Sequence, residues 1–434
     1  MSGFSKRPHR HYNSGPGKEK LFDAPGEKEQ DKDAESYINA SFFDSDDDND
    51  DLAGPAVYKK TRNRRQKLVY SDDEEFASKP KRPNIFVRAV HAIFPMKGDG
   101  VAESVRKVVF DIAVVAFIIT GGSVVLDLVS EKIQVEIVDK ALIDTREKTV
   151  GKSDAEIIGN LSIPDDEIEA IQQEKPGIQA SFIEFYSQNS DIVGWVSVGD
   201  ENEMVIDYPV VQAADNDYYL THNFLRQEVK RGAIFADYKN KFDGGQLSAN
   251  TILYGHNMYD GDTMFAKLSR YYDGGVPKGE TTDYLAFYKK HPTVTFDTLY
   301  ENAEWKVFAC VLFNTQEELG EVYPYINKRD FPTKDDFNSF ILDIMDRSTI
   351  WTDVDVTYGD NILTLSTCYY PYTKEKADTR VAVFARKVRP GESAEVDVSK
   401  AVRNTDPLKF AYQYRVEGGS WGGRKWDSSK LLSL

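Results

Sequence analysis

Cysteine is almost missing from this chain: Cys310 and Cys368 are the two present in 434 residues. At most one disulfide can form, so the fold cannot rest on a cross-linked framework. Histidine is scarce too, with six copies, and no Cys/His cluster stands at metal-ligand spacing, so neither a metal nor a cofactor is expected. An excess of basic charge is also lacking, since the formal net charge is −17. Acidic and basic residues nearly cancel up to Lys107, which leaves the deficit in the remainder. An acidic folded part cannot displace the counterions of a nucleic acid, so no nucleic-acid partner is expected. Internal repeats are absent. A secretory signal peptide is not expected either, because the one long apolar run lies far from Met1 and has no small-x-small cleavage site.

What is present divides the chain unevenly. Residues 1–106 alternate acidic and basic blocks, DSDDDNDD at 44–51 and KKTRNRRQK at 59–67, with few apolar residues. Such a segment buries too little surface to offset chain entropy and is expected to be a disordered tail. Residues 107–130 contain the apolar run VVFDIAVVAFIITGGSVVLDLVS, of about the 20-residue length a helix needs to cross a bilayer. It is apolar on all faces, and Asp111 and Asp127 lie near its ends, where side chains reach headgroups. Basic residues from Lys79 to Lys107 outnumber acidic ones ahead of it. The positive-inside rule then gives a single-pass signal anchor in the cell membrane, with the N-terminus cytoplasmic and everything after Glu131 outside.

Residues 131–175 are polar, without a sustained apolar stripe, and read as an extracytoplasmic stalk. From 176 to 390 the pattern is mainly β with a few helices. Phe182, Phe185 and Tyr186 repeat at helical spacing ahead of a turn and Trp195. Strands follow at 206–212, 232–237, 250–256, 293–298, 305–313, 361–367 and 380–388, each rich in β-branched or aromatic residues and bounded by Gly, Pro, Asn or Asp. One clear helix interrupts them, TKDDFNSFILDIMDRS, with Thr333 placed to cap it. This pattern predicts a closed or nearly closed β-barrel. Residues 391–434 read as a polar C-terminal extension without an evident role.

Sidedness narrows the chemistry. His9, His11 and His91 precede the apolar run, so only His222, His256 and His291 can meet an external cysteine. His256 ends a strand after Gly255, a good place for a working side chain, whereas His222 and His291 read as surface or cap residues. Cys310 sits mid-strand and a packed core thiol accounts for it. Cys368 ends a strand in TLSTC, and three readings stand open: a core thiol, half of a disulfide with Cys310, or a nucleophile. A nucleophile needs a nearby cation to favour the thiolate, and His256 and Arg380 each lie at a strand terminus.

TLSTC, with YGHNM upstream and DTRVAVFARK downstream, resembles the active site of the sortase family. DIVGWVSV, IDYPVVQ, DNDYYL and RGAIFAD are similar to its class B branch, over residues 178–388. The resemblance implies a sortase-like closed barrel and a cysteine transpeptidase that cleaves a C-terminal sorting motif of secreted proteins. Cys368 would form a thioester, His256 would move the proton and Arg380 would steady the oxyanion. Ser366 and Thr367, with Asn216 and Leu220, would line the motif groove. The acceptor would be an amine of a cell-wall precursor or a pilin. Where class B members carry acidic residues after the cysteine, Tyr369, Tyr370 and Pro371 stand here, so the following loop is expected to hold the specificity. Two alternatives remain: an L,D-transpeptidase-like peptidoglycan cross-linker, although its arginine position is taken by Tyr370, and a catalytically inactive, membrane-tethered interaction protein.

Overall fold

In the computed structural model, residues 90, 92–200, 202–258, 263–272, 283–372 and 377–431 are described, apart from the side chains at 123–132, 134, 243 and 430. The expected disordered tail lies, up to residue 89, outside the described residues. The described residues fall into two compact units, one ending at Val129 and a larger one of Ser130–Leu434.

The apolar run lies inside α1 (Val101–Glu147), a helix that continues well past it. Among the described residues, no helix is long and apolar enough to cross a membrane, so the expected transmembrane span at 107–130 is present as helix but is not supported as a span. Apolar residues continue along the helix as far as Ile143, interleaved beyond Glu131 with charged ones.

The expected stalk differs from what is observed. The C-terminal end of α1, α2 (Asp154–Ile158) and α3 (Asp165–Glu174) belong to the folded unit. Leu142, Ile168 and Ile171 share a buried cluster with Phe182 and Phe185 of α4 (Ala180–Gln188) and with Trp195, Val211 and Tyr254 of the barrel. Asp139 pairs with Arg231, and Arg146 pairs with Asp297 while lying over the Trp195 ring. The charges that make this stretch look like a solvated spacer are therefore used to dock it.

Eight strands close into a barrel: β1 (Ile192–Gly199), β2 (Met204–Val211), β3 (Ile234–Ala236), β4 (Asn250–Tyr254), β5 (Thr293–Thr298), β6 (Glu304–Asn314), β7 (Ile362–Cys368) and β8 (Thr379–Lys387). Their order around it is β1-β2-β3-β4-β7-β8-β6-β5, returning to β1. Most pairs are antiparallel, but β2–β3 and β4–β7 run parallel. The seven expected strands are all found, and β1 is an eighth. Its Gly194 lies so close to β5 that an added Cβ would meet the Asp297 carbonyl oxygen at 2.3 Å.

Alternation sorts the side chains into two faces. Val196, Leu253, Leu312, Leu363, Leu365, Val381 and Val383 fill the interior. α5 (Tyr284–Lys290) adds Tyr284, Phe287 and Tyr288 to this interior cluster and ends at His291, while outside the barrel α6 (Lys334–Arg347) covers Phe308, Val311 and Phe384 with Phe337, Phe340 and Ile344. Thr333 caps α6 as expected, its hydroxyl accepting from the Asp336 N–H at 3.1 Å. Two covered faces on one sheet explain why β6 and β8 are buried nearly throughout. Residues 391–434 are not a loose extension: Val402 and Arg403 pair with Trp351 and Ile350, Trp426 and Leu431 are buried against the α6 side, and α7 (Ala411–Glu417) packs beside Leu319 and Ala377.

Candidate active site

Strand register brings the candidate residues together. On β7, Leu363 and Leu365 point inward, so Thr364, Ser366 and Cys368 face outward. On β8, Val381 and Val383 point inward and Arg380 faces outward with Ala382 and Phe384. Cys368 and Arg380 are direct partners across this antiparallel pair. On β4, Leu253 is inward and Tyr254 outward, opposite Ser366. Carrying that parallel register two residues past β4 sets His256 beside Cys368. Thus His256, Cys368 and Arg380 form one row on the outer face, at the end of three neighbouring strands.

Hydrogen bonds hold the row past the strand ends. The Gly255 N–H donates to the Ser366 carbonyl at 3.3 Å, and the Thr367 hydroxyl to the Gly255 carbonyl at 2.8 Å. Asn257 Nδ2 donates to the Cys368 carbonyl at 2.7 Å. His256 Nε2 lies 2.9 Å from the Leu220 carbonyl oxygen; a carbonyl only accepts, so this nitrogen carries a proton and Nδ1 is left to exchange one. Gly255 is required for packing: a Cβ there would meet Ile234 Cδ1 at 2.3 Å and the Phe265 ring at 2.9 Å.

The Arg380 side chain is buried and fixed by two acceptors, the Asp378 carboxylate and, at 3.0 Å, the Thr379 carbonyl. Burial draws protons off this guanidinium, but Cys368 and Asp378 outweigh burial and bind its proton more firmly. Asp378 is in turn held by the Thr315 hydroxyl at 2.6 Å, and its N–H donates to Gln316 Oε1 at 3.0 Å. The Tyr370 hydroxyl keeps its proton more tightly than a free phenol, through burial first and then the charge of Cys368 and a hydrogen bond to it. Tyr325, pushed up to about 12 by burial, shares a 2.7 Å hydrogen bond with the Ser366 hydroxyl.

The row borders a cavity of about 40 Å³, room for a reacting group but not for a peptide, which must lie across its mouth. Ser366, Thr367 and Leu220 line it with His256, Cys368 and Arg380. Asn216 is not in that lining; its amide donates to Asp237 at 3.1 Å and accepts from the Tyr238 N–H at 3.0 Å. A larger hollow of about 280 Å³ beside Asp191 and Tyr300 contains no thiol or histidine.

The other candidates separate cleanly. Both cysteines are free, which removes the disulfide reading. Cys310 aligns with Val383, three residues along β8 from Arg380, inside the barrel, where burial pushes its thiol far up. His222 stacks on Tyr218 with ring centroids 4.2 Å apart. His291 is buried behind α5, and burial lowers its proton affinity. Among the described residues no group of acidic, His or Cys side chains could hold a metal ion. Sequence reasoning missed Asp378, Tyr325 and Asn257; Asn257 and Asp378 had a visible signal, their places in YGHNM and DTRVAVFARK, and Tyr325 had none.

Comparison with known proteins agrees with the geometry. A model of the sortase domain matches residues 202–388. A Listeria monocytogenes protein named Sortase B is 37% identical over 180 residues, 42% of this chain and 63% of its own. A Staphylococcus aureus protein of the same name is 34% identical over 203 residues, 46% of this chain and 72% of its own. The chain thus spans less than two thirds of the Listeria relative. A solved Staphylococcus aureus sortase B–substrate complex superposes with a TM-score of 0.40 and 30% identity, covering 52% of this chain and 92% of that one.

Proposed function

This chain belongs to the sortase family, in its class B branch, and we propose that it is a cysteine transpeptidase acting on a sorting motif of secreted proteins. The observation that carries this reading is the outward row of His256, Cys368 and Arg380 at three adjacent strand ends. The Cys368 thiolate attacks the carbonyl carbon of the scissile bond. A bond forms between Sγ and that carbon, and its oxygen takes up negative charge. Arg380, already charged and anchored, meets that charge with N–H donors that need no reorganisation. As the C–N bond breaks, His256 delivers a proton to the departing amine, leaving a thioester on Cys368. An incoming amine gives its proton to His256, attacks the thioester and releases the thiolate.

In this reading Ser366 and Leu220 contact the motif, Thr367 turns inward on β7 and steadies the strand end through its hydroxyl on the Gly255 carbonyl, and Asn216 acts through the Asp237 network. The acceptor in this proposal is an amine of a cell-wall precursor or a pilin. The apolar run at 107–130, with basic residues ahead of it, supports a membrane tether with the barrel outside the cell. The test uses residues 130–434, because the end of α1 is part of the folded unit. Incubated with a library of sorting peptides, this protein should cleave at least one, and added amine should divert the product to a transpeptide. Mass spectrometry should find the acyl group on Cys368. Cleavage that persists in Cys368→Ala would overturn the assignment.

A further inference from the structure

The segment joining Cys368 to Arg380 is gripped by the C-terminal extension. Tyr372 donates its hydroxyl to Glu417 of α7, and its ring meets Phe410 and Tyr412 edge-on at 6.2 and 5.5 Å. Ala377 is buried with Tyr412 and Leu319. Tyr369, next to the nucleophile, packs edge-on against Tyr272 at 6.1 Å, and Gln413 Nε2 donates to the Tyr272 hydroxyl at 2.8 Å. α7 therefore reaches this segment on both sides of its middle.

The grip is itself anchored. The Leu408 N–H donates to the Asp346 carbonyl at 2.7 Å, and Arg424 pairs with the Asp346 carboxylate at 2.7 Å, so the chain on either side of α7 is tied to the end of α6. Lys409 lies 2.8 Å from Glu417 and balances its charge. Against Gly320 the fit is close: a Cβ there would meet the Ala411 nitrogen at 2.8 Å. Gln316, in the same turn, accepts from Asp378. Barrel, turn and α7 thus hold both ends of the segment that separates thiol from guanidinium.

Resting on the transpeptidase reading, we propose that residues 408–417 are a positioning element that sets which sorting peptides reach Cys368, by fixing Tyr369, Tyr372 and Ala377 at the mouth of the site. An aromatic and hydrogen-bonded grip on Tyr369, Tyr372 and Ala377 restricts the conformations that a peptide must otherwise select, and this shows in binding rather than in bond breaking.

The experiment compares the full chain with Tyr412→Ala, Glu417→Gln and, as the conservative control, Tyr412→Phe. Three readouts are taken: amide hydrogen exchange, steady-state kinetics on a cleaved peptide, and alkylation of Cys368 by iodoacetamide. In Tyr412→Ala and Glu417→Gln, exchange at Tyr369, Tyr372 and Ala377 should rise at least about tenfold while Asp378 and the β7 amides stay protected. KM should rise about three- to tenfold with kcat within about twofold, and alkylation should not slow. Tyr412→Phe should behave as wild type. Unchanged exchange, or faster exchange without a change in KM, would overturn the proposal, as would a fall in kcat alone. Should the unaltered protein cleave no peptide, the transpeptidase reading fails, and exchange at these three amides alone then decides whether the grip exists.

Discussion

Cys368 and Arg380 are paired across β7 and β8, one at the end of its strand and the other near the start of the next. Eleven residues of chain lie between them, yet the ladder makes them neighbours on one face. A guanidinium fixed there by Asp378 and the Thr379 carbonyl stands ready before any substrate arrives.

Arg380→Lys should lower kcat on a sorting peptide by about 10²-fold while moving KM little. Lysine keeps the charge but loses the forked donors that can hold Asp378 and an oxyanion together. Comparing kcat and KM for the two proteins checks this, and an active Lys variant would show that charge alone suffices.

Asp378→Asn should reduce kcat by roughly tenfold, less than any change at Arg380. The amide still bonds Thr315 and can accept from Arg380, but it no longer offers the negative charge that steadies the guanidinium. Circular dichroism should show an intact barrel, and peptide cleavage gives the size of the loss.

The two cysteines should part company. Cys368→Ala should abolish cleavage without destabilising the fold, because the side chain stands at a strand end. Cys310→Ala should keep most activity and cost about 1 kcal/mol of stability, as expected for removing one buried atom from a packed interior. Thermal melting and peptide cleavage measured on both variants check the pair.

Gly255→Ala should destabilise by about 1–3 kcal/mol, because its methyl would collide with Ile234 and Phe265. It should also lower kcat, since His256 is the next residue and follows any backbone shift. Full activity in this variant would mean that the histidine is held by something other than the Gly255 backbone.

Glu392 provides a pH signature outside the site. Hydrogen bonds from Arg386 at 2.6 and 2.7 Å, and then from Lys306 at 2.7 Å, hold its carboxyl well below the usual glutamate range. Its pKa is lower folded than unfolded, so its stabilisation is complete above about pH 4.3, the ordinary glutamate value, and fades as pH falls further. Glu392→Gln should melt earlier at pH 7 and show a shallower loss of stability between about pH 5 and 2.

The catalytic candidates were readable because each ends a strand in a distinctive local setting, His256 after Gly255, Cys368 after an apolar run and Arg380 opening the next one. Their supports were not. Tyr325 matters through Ser366, a partner that only the fold supplies, while Asp378 stands two residues from Arg380 but gives no sign in the chain of the Thr315 and Gln316 that hold it. The strand β1 was overlooked because Gly194 interrupts its pattern, and the need for that glycine arises only from the nearness of Phe296 and Asp297. The supposed stalk failed for a related reason: Asp139 and Arg146 look solvated until Arg231 and Asp297, far along the chain, come to meet them. The C-terminal extension was polar enough to hide the few residues, Tyr412, Trp426 and Leu431, by which it is buried.

Within the ring of eight strands, β7 is paired to β4 on one side and to β8 on the other, so the strand that bears Cys368 has no free edge. An extended peptide therefore cannot be recognised there by joining the sheet as a further strand, a mode that reads backbone and is tolerant of sequence. It must be gripped by side chains and by the chain segments around Cys368. Selectivity in such a protein can then drift by exchanging residues around the rim, while the ring that aligns thiol, imidazole and guanidinium stays the same.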